Sequence, residues 1–111
     1  MSIVDGKLHL RYNLVNHLNI FMYFNEALGA LADPTRRKIL KLLSKRNLSA
    51  GEIGRHFDIT APSLSHHLSV LLMAGLVNQS RQGRSLIYSL KPGAIEMVAN
   101  KLLAIIKEPN K

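Results

Sequence analysis

Ala61-Pro62-Ser63-Leu64-Ser65-His66-His67-Leu68-Ser69-Val70-Leu71 is the stretch on which the reading of this chain turns. Thr60 ahead of it is a good helix cap, and Pro62 sits in the first turn, where a missing N–H is tolerated. Gly75 beyond it is a natural left-handed stop, so the spacing predicts a helix running to Ala74. Leu64, Leu68, Leu71 and Leu72 fall on one inward stripe. Ser63, Ser65, His66, His67 and Ser69 are left around the rest, where an ordinary surface helix carries Lys, Glu or Gln. Small hydroxyls and imidazoles make a slim face rich in donors and acceptors, suited to a groove.

The flanks give that helix a context. Ser49-Ala50-Gly51-Glu52 has capping-box spacing, and Ile53 and Phe57 lie four apart on the buried face of a short helix. Asp58-Ile59-Thr60 is a three-residue turn, so the order is helix, turn, helix. After Gly75, Leu76 to Ser80 and Ser85 to Leu90 predict two strands joined by Arg81-Gln82-Gly83-Arg84, with Gly83 supplying the turn. This is a wing with Arg81 and Arg84 at its tip.

Upstream, Phe21, Phe24, Leu28 and Leu31 predict a helix with one apolar stripe. Asp33-Pro34 starts the next helix, to about Ser44, which buries Ile39, Leu40, Leu42 and Leu43. Its outer face carries Arg36, Arg37, Lys38 and Lys41 without an acid, either as a solvated face or as an attractor of phosphate. Residues 1–20 read as a partly ordered extension, compatible with a short strand or a helix; residues 21–111 form one domain. A last helix, Ala94 to about Lys107, carries Ile95, Met97, Val98, Leu102, Leu103, Ile105 and Ile106. That is wider than one core-facing stripe, and it predicts a subunit interface of Ile95, Val98, Leu102 and Ile105 with Phe21, Phe24 and Leu28 of the first helix. The fold class is therefore mainly α (α+β): a winged helix-turn-helix of about five helices and a two-stranded hairpin.

The totals agree with a nucleic-acid partner. Among 111 residues the net charge is +8 and the pI about 10.2, a bias suited to a polyanion. Nucleic acid is the first partner this suggests and an anionic membrane surface the second; with aromatics at 5% and no Trp, a stacking platform for single strands is poorly supported, and the wing and reading helix point to double-stranded DNA. The absence of Cys excludes disulfides and thiolate metal sites. No apolar run approaches the ~20 residues of a membrane span, and the N-terminal apolar residues are broken by Asn, His and Arg, unlike a signal peptide. A cytoplasmic location without stable membrane insertion is expected.

No catalytic residues are predicted, because the sequence holds no clustered acid pair, phosphate cradle or nucleophile–base–orienter set. No cofactor and no metal are predicted either: His66 and His67 are adjacent, point about 100° apart on a helix, and cannot chelate one ion as an i, i+4 pair does.

Ala32-Asp33-Pro34-Thr35-Arg36-Arg37-Lys38-Ile39-Leu40 with Leu42-Leu43, then Ser65-His66-His67-Leu68, Ala74-Gly75-Leu76-Val77 and Gly83-Arg84…Tyr88-Ser89-Leu90, resemble the ArsR/SmtB family of bacterial repressors, and within it the SdpR-like autorepressor subgroup. The resemblance covers about Ala27 to Leu90. It implies a homodimeric winged helix joined through its first and last helices, repressing by occupying promoter DNA. In metal-sensing members a thiolate site lies in a Cys-Val-Cys segment before the turn; here Leu48-Ser49-Ala50-Gly51-Glu52 has no Cys. The other common site uses Asp and His on the last helix, which here offers Glu96 and no His. Metal induction is therefore not carried over.

The sequence thus predicts a homodimeric, sequence-specific repressor on a near-palindromic operator. Its DNA contacts are Ser63, Ser65, His66 and His67 on the reading helix, with packing inside the protomer an equal reading for His67, and Arg81 and Arg84 on the wing. Alternatives are a metal- or small-molecule-responsive sensor of the same family and a winged helix used for protein interaction. Leu72 and Met73 depart from the family's usual polar wording, as extra core or as a patch for an effector protein.

Overall fold

The computed structural model describes residues 22–107 of the chain. The first helix, α1, covers 22–31 and buries Ala27 and Ala30, with Phe24, Leu28 and Leu31 packed against the same core. Helix α2 (Pro34–Leu43) starts as expected: Asp33 Oδ2 accepts from the Arg36 backbone N–H at 3.1 Å, and Pro34 occupies the first turn. Ile39, Leu40 and Leu43 are its buried residues, with Leu42 at the margin.

A two-residue strand, β1 (Leu48–Ser49), follows, and leads directly into α3 (Ala50–Gly54). Ser49 ends the strand and caps the helix at once: its Oγ accepts from the Glu52 N–H at 3.1 Å, and Glu52 Oε1 accepts from the Ser49 N–H at 2.8 Å. Helix α3 is shorter than the sequence pattern predicts, because Gly51 and Gly54 weaken it, and Phe57 lies beyond its end. Gly54 has a packing role instead, since a Cβ there would sit 3.2 Å from Leu64 Cδ2. Residues 55–60 form the connection, twice the predicted three-residue turn.

Helix α4 (Ala61–Met73) is capped by Thr60, whose Oγ1 accepts from the Ser63 N–H at 3.2 Å. It ends in a Schellman arrangement around Gly75, whose φ is +73°. The Leu76 N–H reaches Leu71 O at 3.1 Å and the Gly75 N–H reaches Leu72 O at 3.0 Å. Leu71 and Leu76, at the two ends of the first bond, are with Ile39 and Ile53 the largest fully buried side chains among the described residues.

Strands β2 (Val77–Gln82) and β3 (Ser85–Leu90) pair antiparallel, and β1 adds to the other edge of β3, giving a three-stranded sheet of order β1-β3-β2. The wing is the two-stranded hairpin expected from sequence, and β1 is an unforeseen third strand beside it: Leu48 faces Tyr88 and Ser49 faces Ile87. Gln82 pairs with Ser85, so the loop is only Gly83-Arg84, with positive φ (+65°) at Gly83 alone, the pattern of a type II′ hairpin.

Helix α5 (Ala94–Ile106) begins at Gly93 without a side-chain cap. It buries Ala94 and Val98 against the core and leaves Met97, Leu102, Leu103, Ile105 and Ile106 exposed. Val98 was expected at a subunit interface, but it is only 2% exposed within the protomer, because it falls on the stripe that the protomer's own core uses. The readings made for residues 1–20 and Phe21 lie outside the described residues. Among the described residues no helix is long and apolar enough to cross a membrane.

Candidate nucleic-acid interface

The orientation of α4 follows from its leucines. Leu64, Leu68 and Leu71 are buried, so the opposite face is fixed by helical geometry. Exposed on it are Pro62, Ser65, His66, Ser69 and Met73, while Ser63 and His67 stand at its flanks, partly covered. The face is slim over its first two turns, with no Lys, Arg, Asp or Glu anywhere along the helix. Hydroxyls and an imidazole there can approach base edges closely and serve as donor or acceptor. Ser69 belongs to this face and sequence reasoning did not select it as a contact, although its position four residues after Ser65 was the available signal. Met73 ends the face, 71% exposed, with its Sδ 4.0 Å from Ser69 Oγ. Leu72 separates from it and packs partly against the core.

His67 is turned away from Ser65 and His66. Its Nδ1 lies 3.1 Å from Arg36 Nη1 and 3.8 Å from Asp33 Oδ2, and its side chain is only 15% exposed. The His66 and His67 rings are 5.8 Å apart between centroids and tilted by 54°. Among the described residues no three His, Cys, Asp or Glu side chains gather as a metal-binding group.

The wing places Arg84 at its tip, exposed beside Gly83. Arg81 is corrected from the tip to the strand, where it pairs with Leu86 and is exposed two positions before the loop. Tyr88 braces the wing's base: it is buried, and its hydroxyl accepts a 2.8 Å hydrogen bond from Gln79 Nε2.

The basic run on α2 divides into two groups. Arg36 Nε donates to Ala30 O at 2.7 Å, and Arg37 Nη1 donates to Leu31 O at 2.7 Å. Both guanidinia therefore close the C-terminal turn of α1, where unpaired carbonyls and the negative end of the helix dipole favour a cation. Lys38, Lys41, Lys45 and Arg46 remain exposed and have no carboxylate within ion-pair distance among the described residues. Partial burial acts to raise the Asp33 carboxyl, but the Arg36 N–H and the positive charge of its neighbours prevail and hold it below the ordinary carboxylate range. The Ser49 N–H does the same for Glu52.

A cleft of about 310 Å³ lies between α1, the end of α4 and the start of α5, lined by Tyr23, Ala27, Leu76, Pro92, Met97 and Val98, with Lys91 as its one charged lining residue.

Residues 33–79 match the family described as bacterial regulatory protein, arsR family. The chain is 40% identical over 84 residues to the transcriptional repressor SdpR of Bacillus subtilis, covering 76% of this chain and 93% of that protein. It is 36% identical over 78 residues to the HTH-type transcriptional regulator Rv2034 of Mycobacterium tuberculosis, covering 70% and 73% of the two chains. Among solved structures it resembles the crystal structure of an ArsR family transcriptional regulator with a TM-score of 0.71 and 30% identity, over 75% of this chain and 91% of the other.

Proposed function

The chain belongs to the arsR family of bacterial regulatory proteins, with a DNA-binding winged helix, and on that premise we propose that it is a homodimeric repressor of a near-palindromic operator, acting without a metal inducer. The observation that carries this is the slim, uncharged face of α4, set between leucines that anchor it and a wing that holds Arg84 outward. Ser65, His66 and Ser69 read base edges in the major groove, with Ser63 at the flank. Arg84, and Arg81 behind it, meet phosphate or the adjacent minor groove.

Dimerisation is supported by α5, whose outer side leaves Leu102, Leu103, Ile105 and Ile106 in water, close in sequence and on one helix. A contiguous apolar surface on so small a domain favours a second copy as its cover. Two-fold symmetry then sets half-sites about one turn (~10 bp), or a multiple of it, apart. Such a regulator acts on chromosomal DNA and works in the cytoplasm.

Fluorescence anisotropy with DNA from upstream of the protein's own gene, against random DNA of the same length, tests the function. Tighter binding to the former, with affinity falling steeply as salt rises, is expected. Equal affinity for both would favour a protein-interaction module. A second reading, control by a small molecule, is favoured by the apolar cleft beside α5. A thermal-shift screen with metabolites and metals addresses it, and a metal that abolishes DNA binding would contradict metal independence.

A further inference from the structure

Arg36 makes more bonds than a surface cation needs. Its Nε and Nη2 donate to Ala30 O and Gly29 O at 2.7 and 3.3 Å, closing the last turn of α1. Its remaining arm, Nη1, lies 3.1 Å from His67 Nδ1 on α4. Arginine has no acceptor, so this bond runs in one direction only: Nη1–H donates and the Nδ1 lone pair accepts. The neutral imidazole must then carry its proton on Nε2. The ring is not sealed, since the His67 side chain keeps 15% of its surface exposed. Asp33 Oδ2 lies 3.8 Å from the same Nδ1, beyond hydrogen-bond reach, and accepts instead from the Arg36 backbone N–H at 3.1 Å, which fixes the start of the helix that carries the guanidinium.

The bond spans 31 positions of sequence and joins three helices at one guanidinium. Leu64, Leu68 and Leu71 choose which face of α4 turns outward, and a directional bond beside them narrows the helix's rotation within that seat. His66 adjoins that bond in the helix and Ser65 stands one position further, so their aim depends on it.

We propose that Arg36 is a positioning residue: through Nδ1 it fixes His67 as the Nε2–H tautomer and locks the rotation of the reading helix against the C-terminal turn of α1. The consequence for DNA selectivity rests on the operator-binding function above; the tautomer does not.

Long-range proton–nitrogen NMR of the imidazoles in the full-length protein, at mildly alkaline pH, should show His67 with an unprotonated Nδ1, and a mixture of tautomers in Arg36→Met, which keeps an unbranched chain and removes every donor. In parallel, His67→Asn keeps an oxygen acceptor near the Nδ1 position, whereas His67→Leu does not. His67→Asn should retain the wild-type ratio of operator to random affinity. His67→Leu should lose about 10-fold or more of that ratio, the scale of a hydrogen bond to a charged group. Circular dichroism melts of both variants establish that each is folded. A wild-type His67 protonated on Nδ1, or His67→Leu and His67→Asn with the same ratio, overturns the proposal. A wild type with no operator preference sinks the operator-binding function instead, and the spectra alone then decide the clamp.

Discussion

Ile105→Ser should break the dimer without unfolding the protomer. Ile105 lies near the end of α5 and is 64% exposed, so it contributes little to the protomer's own core. Complete burial of an isoleucine side chain is worth about 1.5–3 kcal/mol, and the exposed 64% leaves about 1–2 kcal/mol for a partner to cover. A two-fold interface contains the residue twice, so the dimer loses about 2–4 kcal/mol. The dissociation constant should therefore rise by about 30- to 1,000-fold. Sedimentation equilibrium over a wide concentration range measures it, and circular dichroism establishes that helix content is retained. DNA affinity should fall in step with the dimer population, since one protomer engages only one half-site. An unchanged dissociation constant would place the interface elsewhere and refute the assignment of the outer side of α5.

Three further outcomes follow from the site. His66→Ala should weaken operator binding by about 1–3 kcal/mol while random DNA loses less; equal losses in anisotropy titrations would remove His66 from base reading. As a phosphate contact, Arg84 predicts that Arg84→Ala weakens operator and random DNA alike and lowers the slope of log affinity against log salt by about one; a loss confined to the operator would assign it to the minor groove instead. Glu52→Gln tests the capping box through pH. The Ser49 N–H holds the native Glu52 carboxyl below its ordinary value of 4.5. Its stabilisation is therefore present above that value and is lost as pH falls through the depressed native one. The wild type should melt above Glu52→Gln at neutral pH, and the gap should close in acid; a gap independent of pH would assign the effect to something other than charge.

Much of the domain was legible because local chemistry and tertiary packing agree. Asp33, Ser49 and Thr60 each cap the helix that follows, and Gly75 and Gly83 adopt the positive φ that their turns require. The leucine stripe of α4 leaves Ser65 and His66 outside as its spacing predicts. What was not legible depends on partners distant in sequence. Strand β1 is two residues long, too short for alternation to register, and exists because β3 offers it an edge. Arg36 and Arg37 look like surface charge until the end of α1 is brought above them, and His67 looks like part of the reading face until Arg36 reaches it. Val98 shares its spacing with exposed neighbours on α5, and only the packed core separates it from them. Arg81 was placed at the wing tip because a two-residue loop cannot be told from a four-residue one before the register is known.

Sequencing the genomic fragments that the protein retains is the most direct test of a two-fold reader with one slim recognition helix per protomer. A single enriched motif with inverted symmetry is predicted, its half-sites separated by about one helical turn (~10 bp) or a multiple of it, and one copy upstream of the protein's own gene. Fragments with no shared motif, or with one that lacks two-fold symmetry, would contradict it.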